Sequence, residues 1–399
     1  MRIEYDLAKL AEKAFFCDMI TYISEYIQKT ELSEDKSYIY IYCEDQYVDK
    51  VQQGISQLEE MMNKKLLGNE DGIDIQTIKD YSDRSTLCKE DIFQQMINSG
   101  MVYSLAEGSY AYSGTFLKVF KYFERKVEEY GLSCFEERGI EEQYVPALFS
   151  VDGYDEGGYF ETFPHHIMFE SVMKSDINVL SEFSETGWNN GSVFKNIKNP
   201  DCVLRTATCA PVYKHLKNTV IGENSVKTYL VSGKCFRNEG ANVKNLSRLK
   251  EFYMTEYVFI GNAKHISECM LKAKEIWEYW MEVFNLNCKV ETATDSFFAN
   301  NYKKLKMFQL LGQSKQEFKL YIPGENQYIS CGSANYHRTH FTKRYHICEG
   351  DENKLANSAC FGLGIDRLAY ALLSQKGLDI TKWDEKTIRE VSKYVNLKG

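Results

Sequence analysis

Residues 233–261 read GKCFRNEGANVKNLSRLKEFYMTEYVFIG and are the most informative part of the sequence. Two runs rich in aromatic and β-branched residues flank a polar segment, which predicts a long strand, a loop and a long antiparallel return strand. Arg237 and Glu239 are two positions apart, so a continuous strand would point both side chains to one face. On the return strand, Phe252 and Glu256 share a face with apolar residues, so this carboxylate needs a partner.

The surface formed by these residues has two interpretations. Arg237 could hold a phosphate, Glu239 could accept a hydrogen bond from an exocyclic amine, and Phe252 could stack on a base. A surface Arg–Glu pair beside a core Phe explains the same spacing, because exposed ion pairs are common. Spacing alone leaves both interpretations open.

A second informative stretch, residues 359–373, reads ACFGLGIDRLAYALL. An apolar run passes through Gly362 and Gly364 into a helix whose first turn holds Asp366 and Arg367. Glycines allow a ligand to approach the backbone closely, and a helix N-terminus with an Arg suits a phosphate. Tight packing of a helix on a strand explains the same glycines.

Together the two stretches resemble motifs 2 and 3 of the class II aminoacyl-tRNA synthetases, with the FRxE core at 236–239 and the GxGxxR signature at 362–367 both intact. Residues 114–130 predict a helix, which an acidic connector and the strand-like run PALFSVDGY follow. This helix before EEQYVPAL, with Pro146, is similar to motif 1, the dimer-forming element. The resemblance covers residues 101–399. It implies an α+β fold, in which helices flank an antiparallel catalytic sheet, and a homodimer.

The resemblance also implies roles for individual residues. Arg237 would grip the α-phosphate of ATP and the substrate carboxylate, Glu239 the adenine amine, and Phe252 the adenine face. Arg367 would bind the γ-phosphate, so Arg237 and Arg367 are the expected catalytic residues and Mg²⁺ the expected companion of ATP. The chain departs from the seryl pattern at Ile329, which stands where a magnesium-binding Glu is expected.

Two acidic residues, Glu325 and Glu349, are possible substitutes for that missing Glu, and the sequence does not rank them.

Within the class, the seryl branch is most similar, and one loop separates its members. Residues 207–211 read ATCAP, with Cys209 where ordinary seryl enzymes carry a Glu. The same replacement is found in the zinc-containing methanogen-type seryl enzymes and in the amino acid:carrier protein ligases. By that resemblance Cys209, Glu256 and Cys360 would hold Zn²⁺, and a substrate amino group would take the open fourth position.

Taken singly, each of these Cys residues is also typical of an inert buried thiol. His337 and His340 are further metal candidates. In an extended run they would point to opposite faces, so we interpret them as structural or adjacent to substrate.

The first hundred residues differ from the rest in charge. They hold 11 Lys+Arg against 20 Asp+Glu, whereas the remaining residues hold 37 of each. Strand-like runs RIEYDL, SYIYIYC and GIDIQTI alternate with helical patterns over about 8–28 and 47–67, which predicts a small α+β domain over residues 1–100 and a catalytic domain over 101–399. Such an acidic segment is poorly suited to bind nucleic-acid phosphate, so tRNA is not expected as the partner.

The sequence therefore predicts a ligase that activates a small amino acid with ATP as an aminoacyl-adenylate. The acceptor would be the phosphopantetheine thiol of a carrier protein, which is usually acidic and would need a basic patch such as Lys303, Lys304 and Lys306. Two alternatives remain: a zinc-dependent ligase of the seryl-tRNA synthetase type, and a non-catalytic paralogue that binds an amino acid or adenylate.

Three features of the sequence indicate the cellular compartment of the protein. No apolar run approaches the roughly 18 residues that a membrane helix needs, and the start MRIEYDLAKLAEK lacks a basic stretch followed by an apolar core. The 12 Cys include no CxxC pair. We therefore expect a cytoplasmic protein with mostly free thiols and no membrane contact.

Overall fold

The computed structural model describes residues 1–10, 12–63, 75–187, 193–298 and 302–397. Its strands are β1 Arg2–Asp6, β2 Lys29–Leu32, β3 Tyr38–Tyr42, β4 Thr77–Asp80, β5 Val102–Ala106, β6 Ser109–Tyr112, β7 Glu141–Tyr144, β8 Leu148–Ser150, β9 Met168–Glu170, β10 Cys202–Leu204, β11 Val220–Ile221, β12 Val226–Phe236, β13 Glu251–Gly261, β14 Cys288–Thr292, β15 Lys315–Ile322, β16 Gln327–Arg338, β17 Cys348–Glu349 and β18 Asn357–Gly364. Its helices are α1 Lys13–Met19, α2 Val48–Asn63, α3 Phe93–Asn98, α4 Gly114–Cys134, α5 Val151–Glu156, α6 Tyr159–Thr162, α7 Ile177–Thr186, α8 Val193–Asn196, α9 Ala210–His215, α10 Ala263–Phe284, α11 Tyr302–Leu311, α12 His340–Arg344, α13 Ile365–Lys376 and α14 Glu385–Val391.

An eight-stranded sheet forms the centre of the molecule, in the order β4-β14-β15-β16-β18-β13-β12-β7. Every neighbouring pair is antiparallel except β7 with β12, which is parallel. The predicted strand–loop–strand is confirmed as β12 and β13, which pair from Val226 with Gly261 to Phe236 with Glu251. The predicted α+β class, with an antiparallel sheet flanked by helices, is confirmed as well.

Helix α10 shows why helices cover one face of this sheet. Its buried residues recur at three- and four-residue spacing, which gives one apolar stripe along the helix; they are Ile266, Cys269, Met270, Ala273, Ile276, Trp277, Trp280, Met281 and Phe284. Asn262 caps the first turn by accepting a hydrogen bond from the Lys264 amide, and Asn285 ends the helix in the left-handed region. This stripe joins α4 and α13 in the largest apolar core.

The N-terminal residues form a separate small sheet, β1-β3-β2, which packs on a second apolar core that also includes Phe297 and Tyr302. The predicted helix over 8–28 is much shorter, because α1 spans Lys13–Met19 and a 3-10 turn follows at Ile20–Tyr22. The β-branched and aromatic side chains of ITYI, at 20–23, disfavour further helix. The second predicted helix is α2, and its expected end at 64–67 lies outside the described residues.

The domain boundary predicted at residue 100 falls after residues that belong to the central sheet and the main core. Strand β4 pairs with β14 in the central sheet, and Ile92 and Met96 belong to the main core. We therefore propose that the N-terminal unit, residues 1–63 with their own sheet, ends before Thr77; Phe297 and Tyr302 of the catalytic part complete its core. Of the expected strand GIDIQTI, only the last two residues, Thr77 and Ile78, belong to β4. Residues 72–74 lie outside the described residues.

Two elements near motif 1 refine the sequence interpretation. The helix expected over 114–130 is α4, which continues to Cys134. The expected strand PALFSVDGY contains only the three residues of β8, after which Ser150 caps α5 by accepting from the Gly153 amide. Among the described residues, no helix is long and apolar enough to cross a membrane.

Candidate active site

Cys209, Glu256 and Cys360 converge in one buried cluster. Their ligand atoms all lie within 4.8 Å of one another, and each residue is at most 4% exposed. Cys209 immediately precedes α9, whereas the other two lie on paired strands. In that pairing Val258 is opposite Cys360 and Glu256 is opposite Gly362, so Glu256 and Cys360 are diagonal neighbours on the sheet.

The Glu256 carboxylate is fixed by groups from the loop that carries Cys209. Its Oε2 accepts hydrogen bonds from Thr208 Oγ1 at 2.6 Å and from the Cys209 amide at 2.8 Å. A Cβ at Gly362 would lie 3.2 Å from Glu256 Cγ and Oε1, so glycine leaves room for the carboxylate. Thr208 was not identified from the sequence, because its role depends on how the loop meets β13.

The donor set fits zinc. Two thiolate sulfurs bound to a tetrahedral zinc ion at about 2.3 Å lie roughly 3.8 Å apart, a separation compatible with this cluster. The hydrogen bond with Cys360, together with burial and the Glu256 charge, raises the pKa of Cys209 well above its ordinary value. The two thiols, buried beside a carboxylate, are therefore costly to ionise unless a cation neutralises the thiolates.

His337 lies beside this cluster, which the sequence did not establish. Its Nε2 is 3.8 Å from Cys360 Sγ, and its Nδ1 is 3.1 Å from the Tyr213 hydroxyl. Burial lowers the pKa of His337 to about 3, so the imidazole is neutral at physiological pH. Asn335 also donates to Cys360 Sγ at 3.8 Å. His340 instead begins α12, so His337 and His340 do not lie on one continuous strand.

Arg237 and Phe252 lie together at the end of the β12–β13 pair. The Arg237 guanidinium is 5.2 Å from the centroid of the Phe252 ring, and its Nε donates to the Thr206 carbonyl at 3.2 Å. This arrangement holds a cation beside a half-buried aromatic ring at the end of the strand pair, where an anionic ligand with a flat ring could bind both.

Arg367 projects from the first turn of α13 and donates to the Ser330 carbonyl at 2.9 Å. Burial lowers its pKa below the ordinary value; Glu239 opposes that shift, and the cations Arg248 and Arg237 add to it. Three arginines thus influence one another in this region. Such a concentration of positive charge suits a polyanionic ligand.

Glu239 does not share a strand face with Arg237, so that prediction is wrong. Strand β12 ends at Phe236, and Gly240 adopts a left-handed conformation, with φ of +53°, in the turn that follows. The turn directs Glu239 to Arg248, whose Nε lies 2.6 Å from Glu239 Oε2. Among the described residues, therefore, the surface Arg237–Glu239 ion pair does not form.

The two acidic residues considered as substitutes for the Glu expected at position 329 lie in different parts of the structure. Ile329 itself is buried in the main core. Glu325 accepts from Ser247 Oγ at 2.9 Å and from the Tyr370 hydroxyl at 2.7 Å, so it contacts both the β12–β13 loop and α13. Glu349 instead accepts from Asn262, beyond the far end of β13.

The basic patch expected on α11 is partly occupied by the N-terminal unit. Lys306 is only 14% exposed, forms an ion pair with Glu12 at 2.8 Å and lies over the Phe15 ring. The Lys304 side chain lies outside the described residues. We therefore do not retain Lys306 as part of a docking surface.

Comparisons with known proteins show which families this chain is similar to. Residues 193–376 match the family model of the tRNA synthetase class II core domain (G, H, P, S and T). A type-2 serine–tRNA ligase of Methanococcus aeolicus is 26% identical over 306 residues, which are 73% of this chain and 57% of that ligase. Amino acid–[acyl-carrier-protein] ligase 1 of Bradyrhizobium diazoefficiens is 28% identical over 267 residues, which are 65% of this chain and 78% of that ligase.

Among solved structures, M. kandleri SerRS in complex with A. aeolicus tRNASec aligns with 98% of this chain and 77% of that chain, at a TM-score of 0.69 and 18% identity. The match to the M. aeolicus ligase covers 57% of that ligase, so this chain spans little more than half of its length. The predicted resemblance to the seryl branch is confirmed. This chain carries a class II tRNA synthetase core domain, and its homologues include type-2 serine–tRNA ligases and an amino acid–[acyl-carrier-protein] ligase.

Proposed function

We propose that this protein activates a small amino acid with ATP and transfers it to the phosphopantetheine thiol of a carrier protein. One observation carries the proposal: β13 and β18, the strands that carry Glu256 and Cys360 of the cluster, also carry Phe252 and lead into Arg367 of the proposed nucleotide site. Phe252 and Glu256 are four residues apart on β13, about 13 Å along the strand. Strand β18 carries Cys360 and leads directly into the turn of α13 that holds Arg367.

In the first step, a carboxylate oxygen of the amino acid attacks the α-phosphorus of ATP in line. A new P–O bond forms while the bond to the bridging oxygen breaks, which gives aminoacyl-adenylate and pyrophosphate. Arg237, stacked on Phe252, would hold the reacting phosphate and carboxylate, and Arg367 would hold the γ-phosphate. Such positioning and charge neutralisation account for most catalysis of this kind.

Glu239 would accept a hydrogen bond from the adenine amine while Phe252 covers the ring face. Mg²⁺ would accompany the ATP phosphates, and Glu325 is the better-placed carboxylate to help hold it, because it contacts the β12–β13 loop.

Cys209, Glu256 and Cys360 would hold zinc through two sulfurs and one carboxylate oxygen. When bound, zinc supplies a Lewis-acid position for the substrate α-amine in its neutral form and so selects molecules that have one. Thr208 and the Cys209 amide would keep the Glu256 carboxylate oriented toward that position. Asn335 and His337 would complete the polar wall beside Cys360.

In the second step, the carrier thiolate attacks the carbonyl carbon of the adenylate, a C–S bond forms and AMP leaves. The homologous amino acid–[acyl-carrier-protein] ligase supports this acceptor, as does the excess of acidic residues in the first hundred positions. The homologous serine–tRNA ligases support the second candidate, transfer to a tRNA hydroxyl. A homodimer through the motif 1 helix, α4, is part of the same proposal.

We expect glycine, alanine or serine to support the fastest ATP–pyrophosphate exchange among the twenty amino acids. A metal in the middle of the pocket leaves little room for a side chain, although one methylene changes selectivity by only about 1–3 kcal/mol, so small relatives should compete. The measurement is exchange with each amino acid at equal concentration. Fastest exchange with an aromatic amino acid would contradict the proposal.

Incubation with amino acid, ATP, Mg²⁺ and a holo-carrier protein should add the mass of one aminoacyl group to the carrier. The matched apo-carrier lacks the thiol and should stay unmodified, and hydroxylamine should release the group, as expected for a thioester. The competing outcome is charging of tRNA with no label on any holo-carrier tested. Transfer to tRNA should then weaken steeply with salt, since tRNA binding depends on phosphate contacts.

A further inference from the structure

The N-terminal unit reaches into the turn that follows the motif 2 strand. Asp18, at the end of α1, lies with its Oδ1 2.9 Å from Arg248 Nη1, and Arg248 in turn pairs with Glu239. The Asn242 side-chain amide donates to the Asp18 carbonyl and to Thr21 Oγ1, both at 3.0 Å. Two residues of the β12–β13 loop are therefore held by a segment more than 200 positions away in the chain.

Backbone contacts at the same place show that the fit is close. The Tyr22 hydroxyl donates to the Asn238 carbonyl at 2.9 Å, between Arg237 and Glu239 in the chain. A Cβ at Gly240 would lie 3.0 Å from Thr21 Oγ1, and its φ is +53°, so a side chain there would be both strained and crowded. The turn that orients Glu239 therefore packs closely against the N-terminal unit.

Asp18 also contacts the segment that follows β14. Ser296 Oγ donates to Asp18 Oδ2 at 3.2 Å, so one carboxylate oxygen of Asp18 binds Ser296 and the other binds Arg248. Burial acts to lower the pKa of Arg248, but Glu239 and Asp18 outweigh it and raise that pKa, so the guanidinium stays charged. Arg248 is therefore a cation shared between Glu239, which is 5% exposed, and Asp18, which is 37% exposed.

We propose that Asp18 is a positioning residue of the nucleotide site, contributed by the N-terminal unit. Asp18 fixes the guanidinium of Arg248, and Arg248 fixes one oxygen of Glu239, which leaves the other oxygen oriented toward the ligand. Without Asp18, Arg248 follows Glu239 alone, and the carboxylate samples orientations that fit adenine less well. The inference rests on the proposed ATP site, in which Glu239 recognises the adenine amine.

Asp18→Asn tests this inference, with Glu12→Gln as the matched control. Glu12 comes from the same unit and pairs with Lys306 of the catalytic part, but its contact lies on α11 rather than on the loop of Glu239. Asp18→Asn should weaken equilibrium ATP binding about tenfold, the order expected for loss of one charge-assisted hydrogen bond. It should also reduce the preference for ATP over GTP, whereas Glu12→Gln should change neither.

Binding of ATP and of GTP is measured by calorimetry without amino acid or acceptor, and melting temperatures of both variants are recorded. If wild type binds no ATP, the proposed function fails; if wild type binds ATP and Asp18→Asn binds both nucleotides as wild type does, the inference fails. Equal loss in both variants would show general docking of the N-terminal unit and would also overturn the specific role of Asp18. In exchange assays, a raised KM for ATP with kcat within about twofold supports positioning.

Discussion

Cys209→Ser is expected to give a folded protein that contains no zinc and does not activate amino acids. Serine keeps the size of the side chain but removes the thiolate, which is the ligand that zinc prefers at this position. Loss of a direct ligand should cost more than the roughly 10- to 100-fold in metal affinity that loss of an outer hydrogen-bond partner typically costs. Cys360→Ser should behave in the same way, because it removes the second sulfur of the same cluster.

The measurements are elemental analysis of purified protein, ATP–pyrophosphate exchange and thermal unfolding. Cys269→Ser is the matched control, since Cys269 is equally buried but packs within the main core on α10. This control should retain zinc and exchange even if burial of a hydroxyl lowers its stability. If Cys209→Ser exchanges pyrophosphate normally, or if the wild-type protein holds no zinc, the assignment of the cluster is wrong.

The residues of this cluster show what the sequence could predict. Cys209, Glu256 and Cys360 are far apart in the chain, and neither spacing nor periodicity joins them; the resemblance to zinc-containing relatives suggested the group. The structure brings Glu256 and Cys360 together through the pairing of β13 with β18, and the loop before α9 adds Cys209. The sequence does not predict that His337 lies beside Cys360. That position depends on the register in which Asn335 pairs with Cys360, and the sequence of either strand alone does not reveal the register.

The turn after β12 shows a different limit. Alternation along a strand predicts faces only while the strand continues, and it ends one residue before Arg237. Because glycine adopts extended and left-handed backbone conformations with similar ease, Gly240 alone does not predict that the chain turns at this position. Arg248 and Asp18 as partners of Glu239 follow from contacts across the whole fold, which local patterns do not contain.

Arg237→Ala should reduce ATP–pyrophosphate exchange by about 10²- to 10³-fold, the range seen when a single donor to a developing charge is removed. The expected loss is large because Arg237 is the cation stacked on Phe252, where the nucleotide is proposed to bind. Arg237→Lys should fall in between, since an ammonium keeps the charge but cannot make the planar, two-pronged contact of a guanidinium.

Lys234→Ala is the matched control for this change. Lys234 is a cation three residues earlier on β12, is 39% exposed and pairs with Glu251, outside the proposed site, so its loss should leave exchange within about twofold and stability within about 1 kcal/mol. Exchange retained in Arg237→Ala would remove Arg237 from the mechanism. Absence of exchange in the wild type with every amino acid, together with measurable binding of ATP, would instead favour a non-catalytic paralogue. Because the two results differ in the wild-type measurement, one set of assays separates a wrong residue from a wrong function.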